Sequence, residues 1–403
     1  MFASRTGWKL EENAYTRALR KHRENGDVTF DLTASNPTTC GLEYDDPMIL
    51  EALRGSEALV YDPQPKGLLL ARTSVAEYYQ EKSFGTFDPE RLILTTSTSE
   101  AYSFLFRLLC EPGDEVLIAH PSYPLFEFLA TLNDVKLVPF ELIYDHGWQI
   151  DFYTLREKIS PRTRAILLVH PNNPTGHFIS SEEASQLNAV CRYHDLALVV
   201  DEVFLDYVLP SGLGTKQRHG SFAFNDGALT FVLSGLSKIS CLPQMKVAWI
   251  AATGPEAALQ KALPRLEVIA DTYLSLNAPV QYALPVLLEQ RHSMQSQLME
   301  RIEVNLRELD AQLLRQKLIT RLEIEGGWYA VLRVPATLSD EELAIRLLEE
   351  QSVLVHPGHF YEFSSDGYLV VSLITPVEEF REGTKRILQW SAVNQRGLLI
   401  DLS

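Results

Sequence analysis

The chain has 403 residues, with 36 Lys+Arg against 53 Asp+Glu and a formal net charge of −17, a length that suggests about two or three domains. Hydrophobic residues at 46% and charged residues at 22% describe a folded globular protein and exclude a disordered or low-complexity chain. So negative a chain, with no long Lys/Arg cluster, repels phosphate backbones and anionic membranes, so the expected partner is a small molecule rather than nucleic acid or a membrane. The four cysteines, Cys40, Cys110, Cys191 and Cys241, are widely spaced and form no C-x-x-C pair, which fits a reducing compartment. The first residues lack the apolar core of a secretory signal, and no apolar run approaches the roughly 18 residues that a membrane span needs. A cytoplasmic location is therefore expected.

In chain order, short apolar runs alternate with longer segments of helical period. Residues 91–94 are the first run, followed by a helix over 100–110. Residues 115–119 (EVLIA), 165–169 (AILLV), 196–200 (LALVV), 230–233 (TFVL) and 247–251 (VAWIA) are nearly continuously apolar, as strands covered on both faces are. Ser180 and Glu183 have capping-box spacing and start a helix between two of them. The pattern predicts an α/β fold with a doubly wound, mostly parallel sheet. From about 281 to 318 a long amphipathic helix is predicted. Beyond it, strands over 328–334, 353–356 and 368–374 alternate with helices over 340–350 and 377–390, the pattern of a smaller α+β domain. The expected division is a large domain of residues 40–280 and a small domain of residues 1–39 and 281–403.

Ligands of open α/β sheets bind at the carboxyl ends of the strands, so the residues after each run are the informative ones. The first run ends in Thr95-Thr96-Ser97-Thr98-Ser99, where hydroxyls and free N–H groups at a helix start suit a phosphate; an ordinary N-cap needs the same residues. The second ends in His120-Pro121-Ser122-Tyr123-Pro124, which presents an aromatic ring from a stiffened loop. The third ends in Pro171-Asn172-Asn173-Pro174-Thr175-Gly176. The fourth ends in Asp201, a carboxylate that is costly to bury without a cationic partner. The next leads into Ser234-Gly235-Leu236-Ser237-Lys238, a lysine set among small residues. A phosphate cradle, an aromatic face, an amide, a buried carboxylate and a strand-end lysine are what a phosphorylated pyridine aldehyde requires.

With these stretches, and with Tyr61-Asp62-Pro63-Gln64-Pro65-Lys66-Gly67, Glu111-Pro112-Gly113-Asp114, Asp201-Glu202-Val203-Phe204, Gly326-Gly327-Trp328 and Pro357-Gly358, the sequence resembles the fold-type I pyridoxal 5′-phosphate enzymes, specifically the class I/II aminotransferases, over nearly its whole length. The resemblance implies a Lys238 Schiff base with the cofactor and Asp201 paired with the pyridine nitrogen. It implies further that Asn173 donates to the ring's phenolate oxygen, that Tyr123 stacks on the ring, and that Thr98, Ser99 and Ser237 hold the phosphate. It also implies a homodimer with shared sites, in which Tyr61 reaches the neighbouring subunit's cofactor phosphate. The substrates would be an amino acid or related amine and a keto acid.

Three positions depart from the family pattern. Lys246 stands where a phosphate-binding arginine is usual, a point charge in place of a fork. Phe204 replaces a tyrosine whose hydroxyl also reaches the phenolate oxygen. Val370 replaces the arginine that usually grips the substrate α-carboxylate, with Arg333 on a neighbouring strand as the candidate substitute. His356 and His359 flank a Pro-Gly turn with no third ligand in view, so a metal site is not expected. No G-x-G-x-x-G or Walker-type stretch occurs. A lyase, decarboxylase or racemase on the same cofactor is the alternative, since fold and cofactor do not choose among the bonds at Cα. A non-catalytic regulator is a third reading, disfavoured because no basic DNA-binding module precedes the fold.

Overall fold

The computed structural model describes residues 1–82, 85–210 and 217–400, with side chains through Asn394. Its centre is an eight-stranded sheet in the order Leu92–Thr95, Ala248–Thr253, Thr230–Gly235, Ala197–Asp201, Thr163–Val169, Glu115–His120, Lys136–Tyr144 and Trp148–Ile150. The run from Thr230–Gly235 to Lys136–Tyr144 is parallel, whereas Ala248–Thr253 and Trp148–Ile150 are antiparallel to their neighbours. The apolar runs read continuously because alternate side chains enter different cores. In Ala197–Asp201, Leu198 and Val200 join one cluster while Ala197 and Val199 join the other. All four are buried, and sealing both faces of a strand is what removes the polar alternation.

A second sheet of four strands, Thr320–Arg321, Tyr329–Arg333, Tyr368–Ser372 and His356–Pro357, lies beyond it. Helices Asp340–Gln351 and Val377–Ile400 accompany this sheet. The N-terminal helix Ala14–Glu24 packs on Asp340–Gln351, and Phe30–Asp31 pairs in parallel with Val353–Leu354. The predicted strand over 353–356 is therefore two short strands serving different sheets.

The predicted long helix is two helices, Ala278–Glu289 and Arg291–Leu313, meeting at Gln290. Pro285 within the first supplies no N–H to the helical ladder, and Gln290 turns its side chain to the Met48 sulfur. From the second helix, Asn305 donates to the carbonyls of Leu373 and Thr375 at 2.9 and 2.8 Å. Arg301 donates to those of Cys40 and Ile374 at 3.0 and 3.3 Å.

Candidate active site

Strand Thr230–Gly235 passes directly into the short helix Leu236–Ile239, which carries Lys238. The turn requires a glycine: a Cβ on Gly235 would meet the Val247 carbonyl oxygen at 2.7 Å. Tyr207 Oη donates to the Lys238 carbonyl at 2.6 Å and fixes this turn from behind. The half-buried lysine extends over the Trp328 ring, with Nζ 4.6 Å from its centroid and 5.7 Å from that of Phe204. Its hydrogen-bond acceptor is the Ser35 carbonyl at 3.5 Å. Burial lowers the Lys238 pKa to about 8, against the opposing pull of Cys241, Asp201 and Cys40. Such an amine is available as a nucleophile and base near neutral pH.

Asp201 ends the adjacent strand Ala197–Asp201. It is buried, and its carboxylate accepts Tyr102 Oη at 2.8 Å and the Val203 N–H at 3.0 Å. Burial pushes its pKa up to about 6, against these two bonds and the Lys238 charge. A carboxylate so placed gains from a bound cation.

Tyr102 lies on helix Thr98–Leu109, whose N-cap Ser97 accepts the Glu100 N–H. The Glu100 carboxylate binds the Thr96 N–H and hydroxyl at 2.8 and 3.1 Å. Thr98 and Ser99 are thus the first two helical residues, where backbone N–H groups have no partner within the helix. Asn173 is buried, and its Oδ1 has no hydrogen-bond partner. Tyr123 stands in the loop after Glu115–His120, its ring edge-on to Phe126 at 6.0 Å. Burial and the Asp201 charge both raise its pKa.

Two more of the expected residues are exposed. Tyr61 is 81% exposed and lines a separate cleft of about 380 Å³ together with Leu274, Ser275 and Asn277. Lys246 is exposed and holds a left-handed backbone at φ 53°. Val370 is fully buried between Val331 and His356 in the four-stranded sheet. It shares a sheet face with Ser372, whose hydroxyl donates to the Ala34 carbonyl. Arg333 stands at the far end of strand Tyr329–Arg333 from Trp328, exposed beside the Tyr144 and Tyr368 rings.

Tyr102, Trp328, Tyr207 and Ser35 carry contacts to Asp201 and Lys238 that the sequence analysis did not single out. Trp328 stood in a quoted motif without a role. For the others the contact is tertiary, and no local spacing marks it.

Next to Asp201, Glu202 points to the opposite side of the strand. It is 1% exposed and accepts the Ser221 hydroxyl at 2.7 Å and the Phe222 N–H at 2.6 Å. Burial raises its pKa to about 8, against these bonds. The native state then holds a proton that the unfolded chain releases near pH 4.3, so stability falls as pH rises from that value to about 8. Glu202→Gln keeps both partners and removes the titration. Its Tm should match the parent near pH 4 and exceed it by a few degrees at pH 9; a constant Tm difference across that range would refute this origin.

The buried carboxylate of Asp201, the open helix start at Thr98 and Ser99 and the low-pKa Lys238 together fit a phosphorylated pyridine aldehyde. Fold and site thus point to a pyridoxal-phosphate-dependent enzyme. Residues 43–387 match the family model "Aminotransferase class I and II", and the chain belongs to that family. The chain is 28% identical over 370 residues to the glutamate-pyruvate aminotransferase AlaA of Haemophilus influenzae, covering 89% of each. It is 27% identical over 377 residues to the alanine aminotransferase of Mycobacterium bovis, covering 90% of this chain and 85% of the relative. The structure superposes on an alanine aminotransferase from Pyrococcus furiosus with a TM-score of 0.85 at 22% identity, covering 97% and 100% of the two chains. At that identity the likeness establishes the fold. Among the described residues no helix is long and apolar enough to cross a membrane.

Proposed function

We propose that Lys238 carries the pyridoxal phosphate and moves the substrate proton. The observation that supports this most is the placement of Lys238 and Asp201 at the carboxyl ends of adjacent strands, one amine and one buried carboxylate without a cation of its own. When bound, the cofactor's protonated ring accepts the electron pair released at the substrate Cα. Asp201 holds the ring proton and Tyr102 holds Asp201. Asn173 orients the ring through its amide, and Tyr123 covers one face. The N–H groups and hydroxyls of Thr98 and Ser99, with Ser237 and Lys246, bind the phosphate. Once freed from the cofactor, the Lys238 amine would take the proton from the substrate Cα and deliver it to the cofactor C4′, the carbon that keeps the amino group. The test is an amine screen against the purified holoenzyme, following loss of its visible absorbance. A transaminase ends the half-reaction with the cofactor as its amine; recovery of the aldehyde without a keto acid would refute the reading.

The working form in this reading is a cytoplasmic homodimer built from a large unit (40–280) and a small one (1–39 and 281–403). The exposed Leu59, Val60 and Tyr61 around the separate cleft support a second copy there, with Tyr61 of the partner subunit reaching the Lys238 site. A monomer by sedimentation at assay concentration would overturn it.

The amino donor in this reading is not gripped through its α-carboxylate by the four-stranded sheet, because Val370 is sealed between Val331 and His356 and offers no charge-assisted bond. Aspartate, glutamate and aromatic amino acids should turn over poorly. Arg333→Ala should change KM for any accepted amine by less than about twofold, since Arg333 is exposed beside Tyr144 and Tyr368 and its charge is screened by solvent. Efficient turnover of those amino acids would overturn the reading of Val370, and a large KM effect of Arg333→Ala that of Arg333. Val370→Arg is a poorer test, because overpacking a sealed site costs about 1–3 kcal/mol by itself.

A further inference from the structure

Outside the residues assigned above, one buried cluster joins both walls of the site. His177, 5% exposed, lies between two carboxylates, with Nε2 3.3 Å from Glu183 and Nδ1 3.3 Å from Glu325. Each carboxylate is anchored on a different part of the chain. Glu183 is the third residue of helix Ser181–His194; it accepts the Ser180 N–H and hydroxyl, both at 2.8 Å, and the Ile150 N–H at 2.9 Å. Glu325 accepts the Phe178 N–H at 2.8 Å.

The loop before His177 carries Asn173 and the segment after Glu325 carries Trp328. These two stretches are also tied through their backbones: the Glu325 and Gly326 N–H groups donate to the Gly176 carbonyl at 3.2 and 3.1 Å. The Gly327 N–H donates to the Tyr207 carbonyl at 2.8 Å, and Tyr207 holds the Lys238 turn. A buried ring held between the buried Glu183 and the partly exposed Glu325 carboxylates is favoured as the cation. Burial opposes the charge on His177, but the contacts with Glu183 and Glu325 outweigh it and hold the pKa at about 9. The other groups facing the cluster are His170, which is itself neutral in its buried position, and Arg218, whose Nη2 lies 3.4 Å from the Glu325 carbonyl.

We propose that His177, as the cation between Glu183 and Glu325, is a positioning residue that sets Asn173 and Trp328 against Lys238 and the cofactor ring. The proposal rests on the reading of Lys238 as the cofactor-bearing residue. Removing the charge leaves the buried Glu183 carboxylate and the partly exposed Glu325 carboxylate without the cation that bridges them, so the Asn173 loop loses its side-chain tie to the Trp328 segment. Both walls then loosen while the residues that would touch the cofactor stay chemically intact.

The test compares His177→Gln, Glu325→Gln and Lys238→Ala with the parent by cofactor titration and by the pH dependence of the visible absorbance. His177→Gln is expected to weaken cofactor binding about tenfold and to move the absorbance midpoint by about half a pH unit or more. Glu325→Gln, whose partly exposed side chain tolerates the change, should shift both readouts in the same direction. Parent-like cofactor affinity and midpoint in Glu325→Gln, and in His177→Gln if it folds, would overturn the proposal even if the melting temperature fell, since an ion bridge that only supports the fold moves the melting temperature alone. Visible absorbance retained in Lys238→Ala would instead overturn the assignment of Lys238.

Discussion

Lys238→Ala is expected to bind pyridoxal phosphate without covalent attachment and to lose about 10⁴-fold or more in kcat, because it removes the anchor and the proton carrier together. The rest of the site should survive. Among the described residues the Lys238 amine donates to the Ser35 carbonyl, at 3.5 Å, and its contacts with Trp328 and Phe204 are made by the amine over the rings. The Tyr207 bond that fixes the turn goes to the Lys238 backbone carbonyl and is kept by alanine. Reduction with borohydride followed by peptide mapping decides the point. A label on any other lysine, Lys246 included, would refute the assignment, as would residual activity within tenfold of the parent.

Asp201→Asn should keep the fold and still bind cofactor, yet lose about 10² to 10³ in kcat, the scale for removing one preorganised electrostatic partner from a transition state. The amide matches the carboxylate in shape, with Oδ1 accepting the Val203 N–H and Nδ2 donating to Tyr102 Oη, but it cannot hold a proton on the ring nitrogen. A pH signature accompanies the loss. In the cofactor-free chain Asp201 titrates at about 6, so cofactor affinity in the parent should fall as pH drops below that value, where the carboxyl is neutral and cannot pair. Asp201→Asn should lack that fall. Activity within a few-fold of the parent would mean that Asp201 is a structural residue and that the nitrogen works unprotonated.

The central strands were legible in the sequence because each is sealed on both faces and stays apolar throughout. The outer strand Lys136–Tyr144 was not: it contains Pro139, and its burial alternates between exposed, partly buried and buried positions, so its composition resembles a loop. Phe30–Asp31 is two residues long and exists only through its pairing with Val353–Leu354, a distant partner that no local window contains. In the proposed site, Lys238, Asp201, Asn173, Thr98 and Ser99 stood out because each follows an apolar run, where open α/β sheets concentrate chemistry. Tyr102 and Trp328 were missed because each reaches its partner across the fold, as does the Glu183–His177–Glu325 cluster.

The crossing at residues 325–328 also has a mechanical consequence. Gly326 has no spare room, since a Cβ there would meet Phe178 at 2.3 Å and the Tyr207 oxygen at 2.5 Å, and Gly327 is hydrogen-bonded to that same oxygen. The chain is therefore clamped to the eight-stranded body immediately before it enters strand Tyr329–Arg333. If the four-stranded layer swings during turnover, the fulcrum lies at this clamp. The Trp328 end of the lever then travels least and the Arg333 end travels farthest. Lys238 would keep its aromatic floor through the whole stroke, while the far rim beside Tyr144 opens and shuts.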